Sequence, residues 1–160
     1  NEFQLGRTAA GFGEIYFSPI HAAALMSGIA NGGYLPRPYM IDQVLSPYGE
    51  IVHRAKPEVL RTIMRKDSAR ILLNMMESTT KTGTSRKEFA KRSGALRRIR
   101  VAAKTGTLHG SDPDGINHWF VAAAPLEKPT IAIAVLVIDP SKPRTSASRL
   151  GRLVFEKFFS

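Results

Sequence analysis

The stretch Val101-Ala102-Ala103-Lys104-Thr105-Gly106-Thr107 is the most informative segment of the sequence. Its apolar start predicts a β-strand that delivers a lysine, two threonine hydroxyls and a glycine at its end. Because side chains alternate along an extended segment, Lys104 and Gly106 should share one face, and the two threonines the other. The glycine leaves the backbone accessible to a ligand, and a lysine with nearby hydroxyls suits a carboxylate. The segment is therefore a candidate site for a carboxylate-bearing ligand.

The same four-residue pattern occurs a second time, at Lys81-Thr82-Gly83-Thr84. This copy follows the polar end of a predicted helix and leads into Ser85-Arg86-Lys87-Glu88, with no predicted strand on either side. The copy at residues 104–107 instead follows a predicted strand and precedes two more. We therefore interpret residues 104–107 as the site and residues 81–84 as a surface turn.

The order of predicted elements indicates an α+β chain, with helices first, then an antiparallel meander, then a covering helix. Ser18 and Pro19 are typical of a helix start, and Asn31-Gly32-Gly33 is typical of a helix end. A second helix should begin near Asp67 or Ser68. The other predicted segments are a loop at residues 6–16, a hairpin with strands at 39–45 and 51–54, strands at 99–103, 119–124 and 130–138, and a helix at 146–159.

The patterns also predict how these elements pack. The aliphatic run at residues 131–138 predicts a strand that is buried on both faces. Gly151 lies inside the last helix, where glycine costs about 1 kcal/mol relative to alanine, so we expect close packing there. A loop at residues 108–117 should lie beside the Lys104 strand and border the cleft expected at the candidate site. The apolar residues expected to face the core from the second helix are Ile71, Leu72, Met75 and Met76.

Composition narrows the classes of function. A chain of 160 residues with 43% hydrophobic and 22% charged residues is typical of a folded protein rather than a disordered one. Its longest aliphatic run is too short to cross a bilayer. The absence of cysteine excludes disulfides, thiolate chemistry and cysteine-ligated zinc. The four histidines lack metal-ligand spacing, so we expect no metal and no other cofactor.

The charge balance favours an anionic partner. Lys and Arg number 23 against 13 Asp and Glu, a net charge of +10, which suits nucleic acid, acidic lipid or a carboxylate-bearing polymer without choosing among them. A basic nucleic-acid-binding domain is one alternative, which salt-dependent DNA binding would support. However, Phe89 is the one aromatic residue available for base stacking in the basic run 86–100. We interpret that run as a solvated face and expect no nucleic-acid partner.

Several segments together resemble the C-terminal part of a penicillin-binding protein transpeptidase domain. The third catalytic motif of that family is similar to Ala103-Lys104-Thr105-Gly106-Thr107. The segment Ala30-Asn31-Gly32-Gly33 favours a penicillin-binding protein over a β-lactamase. The resemblance covers nearly the whole chain, from about Gly11 to Phe159. It is also carried by Gly11-Phe12-Gly13, Phe17-Ser18-Pro19-Ile20-His21-Ala22-Ala23, Ile29-Ala30-Asn31-Gly32-Gly33-Tyr34-Leu35 with Pro38, His118-Trp119-Phe120-Val121 and Ala124-Pro125.

The resemblance implies roles for four residues. In the family, the lysine of this motif lines the cleft and supports proton transfer and substrate placement, which assigns those roles to Lys104. The two threonine hydroxyls hold the carboxylate of the peptide or the β-lactam, which assigns that role to Thr105 and Thr107. The backbone N–H of Thr107 corresponds to one donor of the oxyanion hole. Gly106 corresponds to the position that gives the ligand clearance.

Two further motifs of the family are expected outside this sequence. The nucleophile motif Ser-x-x-Lys has one match, Ser78-Thr79-Thr80-Lys81, which we reject because the true motif opens an apolar helix and this one leads into a polar turn. The second motif, Ser-x-Asn, has no match in the sequence. We therefore expect residues 1–160 to be the C-terminal portion of one transpeptidase domain. Its partner would be the N-terminal portion of that domain, and we expect the isolated chain to be inactive.

The resemblance also implies a fold and an activity. The expected fold is the α+β fold shared by β-lactamases and transpeptidases, with helices on both faces of an antiparallel sheet. The parent protein would be a serine D,D-transpeptidase or carboxypeptidase that acts on peptidoglycan stem peptides and is acylated by β-lactam antibiotics. It would be anchored in the inner membrane and work on the periplasmic, or extracytoplasmic, face. A non-catalytic β-lactam sensor of the same fold is the alternative, and the upstream residues would decide between them.

Overall fold

The computed structural model describes residues 1–9, 16–111, 114–139 and 145–160. Five α-helices, one 3-10 helix and seven β-strands lie in these ranges. They are α1 (Glu2–Ala9), α2 (Pro19–Ala30), β1 (Tyr34–Pro36), β2 (Gln43–Leu45), β3 (Ile51–Arg54), β4 (Val59–Thr62), α3 (Lys66–Lys81), α4 (Arg86–Phe89), the 3-10 helix (Gly94–Arg98), β5 (Ala102–Ser111), β6 (Asp114–Ala124), β7 (Ile131–Asp139) and α5 (Ala147–Phe158).

A three-stranded antiparallel meander in the order β5-β6-β7 forms the centre of the chain. Helix α5 packs on one face of the sheet, where Phe120 and Phe155 belong to the same buried cluster. Helices α2 and α3 pack on the other face, where Met26 and Leu73 cluster with Ala123. Neighbouring residues of one strand therefore enter different cores, because side chains alternate across a sheet. The predicted α+β architecture, with helices on both faces, is confirmed.

Helices α2 and α5 begin and end where the sequence predicts. The Ser18 hydroxyl accepts a hydrogen bond of 3.2 Å from the backbone N–H of His21, and the Ser146 hydroxyl accepts one of 3.1 Å from the N–H of Arg149. Each serine satisfies a donor that the first helical turn leaves unpaired. After α2, Gly32 and Gly33 have φ values of +70° and +92°. A side chain at Gly33 would collide with the Met64 carbonyl oxygen, so only glycine fits there.

The close packing expected at Gly151 is confirmed. A Cβ at this position would run into the ring of Phe120, which is fully buried in the sheet beneath α5. The glycine therefore lets the helix approach the sheet more closely than any side chain would permit.

The hairpin between β5 and β6 is longer than predicted. Strand β5 begins at Ala102, after the 3-10 helix, and continues through the Lys104 segment to Ser111, where Asp114 begins β6. Leu108 pairs with Asn117 in the antiparallel register, so among the described residues the loop predicted at residues 108–117 is wrong. Residues 112 and 113 lie outside the described part of the chain. The prediction failed because this part of the hairpin carries few apolar side chains, so its sequence lacks the alternation that indicates a strand.

Two predictions about burial are correct only in part. Strand β7 has α2 on one face and α5 on the other, but Ile133 is its one fully buried residue and most of the others are half-buried. On α3, the side chains of Met75 and Ile71 are exposed by 66% and 57%. The predictions for Met76, which is buried, and for Leu72, which packs against the core, are confirmed, and Leu73 is buried although it was not predicted. The errors at Ile71 and Met75 arise because apolar residues lie on more than one face of α3 and the sheet contacts only one face.

The start of the chain differs from the predicted loop at residues 6–16. Residues 6–9 belong to helix α1, which Asn1 caps by accepting a hydrogen bond of 2.9 Å from the N–H of Gln4. Residues 10–15, which include Gly11-Phe12-Gly13, lie outside the described ranges. Among the helices of the described residues, none combines the length and apolar character needed to span a membrane.

A small arm connects α2 to α3. The predicted hairpin is present as β2 and β3, although its first strand is limited to Gln43–Leu45. Strands β1 and β4, which were not predicted, pair with each other through Tyr34 and Thr62 at the base of the arm. This pairing joins residues far apart in sequence, which local patterns do not reveal.

The basic run 86–100 covers part of the core with its apolar residues. Phe89 and Leu96 are almost fully buried, and the ring of Phe89 stacks on Phe120 with the ring centroids 5.7 Å apart. Phe89 is therefore not available to stack on a nucleic-acid base. Most basic side chains of the run are exposed, as expected for a solvated face.

Candidate active site

The four residues 104–107 lie together on β5, which has a neighbouring strand on one side only in the described sheet. Lys104 pairs with Val121, and Gly106 with Trp119, so these side chains share the face on which α2 and α3 pack. Thr105 pairs with Phe120 on the opposite face. The site segment is thus held by a regular ladder on one edge, while its other edge faces away from the sheet.

Lys104 is exposed on this edge strand. Its ammonium donates a hydrogen bond of 2.5 Å to the backbone carbonyl oxygen of the adjacent Thr105. A lysine that bonds to its own strand in this way keeps its charge close to the backbone of residues 104–107. An anionic group that approached this edge would therefore meet a positive charge.

Neither the backbone conformation nor crowding by neighbouring residues requires a glycine at position 106. It is not among the residues of positive φ, and an added Cβ would meet the Trp119 Cβ at 3.5 Å, an ordinary contact distance. The lack of a side chain therefore leaves open space that the described part of the chain does not fill. Such a position suits the close approach of a ligand.

Aromatic rings border the same face. The ring of Phe17 lies 4.7 Å from that of His21 at the start of α2, and 6.3 Å from that of Trp119, the cross-strand partner of Gly106. These three side chains form a wall next to the glycine. All three residues contribute to the family resemblance of the sequence, but the contacts between their rings were not predicted.

A buried polar atom without a partner lies on the threonine face. His118 is the cross-strand partner of Thr107, and in the described residues its Nε2 atom is buried without a hydrogen-bond partner. Buried polar atoms are rarely unpaired in folded proteins.

The two copies of the Lys-Thr-Gly-Thr pattern meet in space. Lys81 ends α3 and residues 82–84 form the turn that follows it, and the hydroxyl oxygen of Thr84 lies 2.8 Å from that of Thr105. The interpretation as an exposed turn is correct, but this contact was not predicted. The only signal in the sequence is the repeated motif itself, which does not indicate that its two copies are adjacent.

The position of Ser78-Thr79-Thr80-Lys81 is the last turn of α3 rather than the start of a helix. Thr80 is buried there, and its hydroxyl donates to the carbonyl oxygen of Val101 at 2.8 Å. This hydrogen bond joins the end of α3 to the residue just before β5. Helix α3 therefore helps to fix the position of the strand that carries Lys104.

An ion-pair network supports the same junction. The guanidinium of Arg100 contacts Glu77 of α3 at 2.7 Å and Glu127 of the loop before β7 at 2.9 Å. The hydrogen bond from Arg100 is the main cause that lowers the pKa of Glu77, against a smaller opposing effect of burial. The same partners raise the pKa of Arg100 above its already high usual value. The network therefore links α3, the residues just before β5 and the loop after β6 while Arg100 and the two glutamates are charged.

The combination of fold and motif has a match among known proteins. Residues 2–159 match the family described as the penicillin binding protein transpeptidase domain.

The chain belongs to this family.

The resemblance inferred from the sequence is thereby confirmed. The chain is 30% identical over 138 residues to the peptidoglycan D,D-transpeptidase PbpA of Mycolicibacterium smegmatis, which covers 84% of this chain and 27% of that protein. It is 32% identical over 163 residues to penicillin-binding protein 2A of Bacillus subtilis, with 89% and 22% covered.

A solved structure agrees with these relatives. The imipenem acyl-enzyme complex of penicillin-binding protein A from Mycobacterium tuberculosis matches with a TM-score of 0.82 at 28% identity, over 98% of this chain and 34% of that one. This transpeptidase-domain chain therefore spans about a third of that structure, and about a quarter of the length of the two relatives above.

Proposed function

We propose that this chain is the C-terminal portion of one transpeptidase domain and supplies its Lys-Thr-Gly strand. The domain would belong to a serine D,D-transpeptidase or carboxypeptidase that acts on peptidoglycan stem peptides and is acylated by β-lactams. The observation that carries this proposal is the position of residues 104–107 on the edge strand β5, beside a glycine that nothing in the described chain requires. The remaining motifs would come from the N-terminal portion of the domain.

Each residue of the segment has a proposed chemical task. A serine outside this chain attacks the carbonyl carbon of the peptide or lactam, and the N–H of Thr107 stabilises the negative charge that develops on the carbonyl oxygen. The C–N bond then breaks as its nitrogen takes up a proton, which leaves an acyl-serine and either releases D-alanine from the peptide or opens the lactam ring. The hydroxyls of Thr105 and Thr107 donate to the ligand's carboxylate, which the charge of Lys104 also attracts. Lys104 further supports proton transfer, and Gly106 leaves room for the ligand to lie against the strand. No cofactor takes part in this reaction.

The relatives support the activity and its place in the cell. The curated relatives include proteins named as peptidoglycan D,D-transpeptidases, and the matched solved protein forms an acyl-enzyme with imipenem. Peptidoglycan lies outside the cytoplasmic membrane. We therefore place the parent protein at the extracytoplasmic, or periplasmic, face of the inner membrane, with an anchor outside these 160 residues.

The test is acylation of the full-length protein by fluorescent penicillin. We expect a single labelled serine, found by peptide mass spectrometry outside residues 1–160. Lys104→Ala should slow acylation about a hundredfold or more, because it removes a group involved in proton transfer. Lys157→Ala, a matched change of an exposed lysine on α5, should leave the rate unchanged. Label on Ser78, or a wild-type rate in Lys104→Ala, would contradict the assignment.

The same protein distinguishes the enzyme from a β-lactam sensor. A transpeptidase or carboxypeptidase releases the terminal D-alanine of a pentapeptide stem in many turnovers. A sensor is acylated by penicillin but releases no D-alanine above background, and that result would replace the enzymatic proposal.

A further inference from the structure

A hydrogen bond joins the turn after α3 to the site strand. The hydroxyl oxygens of Thr84 and Thr105 lie 2.8 Å apart, and either group can be the donor. Thr84 is exposed and Thr105 is partly buried. The two residues are 21 positions apart in sequence, so the contact depends on how α3 meets the sheet.

The turn that carries Thr84 is fixed by its own backbone. The N–H of Gly83 donates to the carbonyl oxygen of Ser78 at 2.7 Å, and the N–H of Ser85 donates to that of Thr79 at 2.9 Å. A Cβ at Gly83 would lie 2.9 Å from the Ser78 carbonyl oxygen, so the turn closes tightly around the glycine. The hydroxyl of Thr84 is therefore presented from a defined position.

Ser85 adds an anchor on the other side of Thr84. It is almost fully buried, and its hydroxyl lies 2.7 Å from that of Ser148 in α5. The backbone on both sides of Thr84 is thus held without help from the Thr84 side chain. A merely structural role is a poor explanation for the contact, because an exposed hydroxyl adds little stability to a turn that is already fixed.

The number of protons determines the direction of the hydrogen bond when a ligand is bound. Each threonine hydroxyl has one proton to donate. If Thr105 donates its proton to a ligand carboxylate, its oxygen can only accept from Thr84. Thr84 is then the donor, and the two bonds form a chain in which each strengthens the other.

We propose that Thr84 is a positioning residue that holds the Thr105 hydroxyl with its proton directed towards the carboxylate of the bound ligand. This inference rests on the proposed function, because it requires Thr105 to contact that carboxylate. It adds a residue from outside the Lys-Thr-Gly strand to the carboxylate-recognition part of the site.

The experiment compares Thr84→Val, Thr84→Ala and Thr84→Ser in the full-length protein. The acylation rate is measured with fluorescent penicillin, and with penicillin G methyl ester by competition against that label. Val and Ala should slow acylation by the carboxylate ligand about three- to tenfold, the effect expected for one hydrogen bond. They should not slow acylation by the ester, which lacks the anion. Serine keeps the hydroxyl and should stay within about twofold of wild type.

Thr82→Val is the matched control, because it removes a hydroxyl from the same turn that bonds to the Ser78 carbonyl oxygen and not to the site strand. It should leave both rates unchanged. Equal slowing of both ligands in Thr84→Val, or no slowing of either, would overturn the inference. So would a loss in Thr84→Ser as large as that in Thr84→Val.

Two further variants separate this inference from the proposed function. If Lys104→Ala and Thr105→Val slow acylation while Thr84→Val does not, the inference about Thr84 fails and the proposed function stands. If Thr105→Val also leaves acylation by fluorescent penicillin unchanged, the carboxylate role of the strand fails as well.

Discussion

The hydroxyl oxygens of Ser85 and Ser148 lie 2.7 Å apart in a buried hydrogen bond that joins the turn after α3 to the first turn of α5. Both serines are largely inaccessible to solvent. This bond therefore helps to fix the residues next to Thr84 relative to α5.

Removing one partner of this pair should destabilise the protein. Ser148→Ala leaves the Ser85 hydroxyl buried without a partner, and we expect the free energy of unfolding to fall by about 1–3 kcal/mol. The double variant Ser85→Ala/Ser148→Ala removes both polar groups and should be closer to wild type. Chemical denaturation of the full-length protein measures both. A double variant that loses the sum of the two single effects would show that the hydroxyls do not act as a pair.

Gly151→Ala should also destabilise the protein, although alanine is the better helix former by about 1 kcal/mol. The added methyl group would enter the ring of Phe120, and overpacking of a core typically costs about 1–3 kcal/mol. Phe120→Leu removes the ring and opens space beside position 151. The double variant Gly151→Ala/Phe120→Leu should therefore be more stable than Phe120→Leu alone. The measurement is again the free energy of unfolding, and a Gly151→Ala variant more stable than wild type would refute the close contact.

Gly106→Ala should separate folding from function. The added methyl group meets the Trp119 Cβ at an ordinary 3.5 Å, so the melting temperature should not fall. The acylation rate should fall roughly tenfold or more, because the methyl group occupies space proposed for the ligand and small misplacements in an active site cost large factors in rate. Gly6→Ala, in open space on α1, is the control. Wild-type acylation by Gly106→Ala would remove the clearance role.

The ion pair between Glu77 and Arg100 predicts a pH-dependent contribution to stability. Because the pKa of Glu77 is lowered in the folded state from its ordinary 4.5, the folded state favours the ionised carboxylate. The stabilisation is therefore present above about pH 4.5 and is lost as the pH falls through the lower, folded-state pKa. The stability difference between wild type and Glu77→Gln should be constant from about pH 7 to 5 and should narrow below. A difference that does not change with pH would contradict this assignment.

Local signals explain which parts of the fold could be predicted. Ser18 and Ser146 begin helices because a hydroxyl can accept from a free N–H of the first turn, a rule that involves neighbours in sequence only. Gly151 stands out because glycine destabilises a helix interior, so its presence there indicates that a side chain would not fit. The Lys104 segment is recognisable for a similar reason, since its residue types and their order are properties of seven consecutive positions.

Long-range contacts explain what could not be predicted. The pairing of Tyr34 with Thr62 and the contact of Thr84 with Thr105 join residues brought together by tertiary packing. Which face of α3 is buried also depends on tertiary packing. Met75 and Met76 are equally apolar, and the position of the sheet decides that Met76 is buried and Met75 exposed. The apolar composition of β7 predicts burial on both faces, and α2 and α5 do pack on it, but the composition does not reveal that most of its side chains stay half-buried.

The open edge of β5 has an evolutionary consequence. Besides the proposed contacts with Lys104, Thr105 and Thr107, a ligand that lies along this edge would meet backbone N–H and C=O groups, and every amino acid except proline supplies both. Substitution can therefore do little to change those contacts without breaking the strand. Under the proposed function, variants that discriminate between the peptide and a β-lactam should therefore arise in the side chains around the edge, such as Thr84, Phe17 and Trp119.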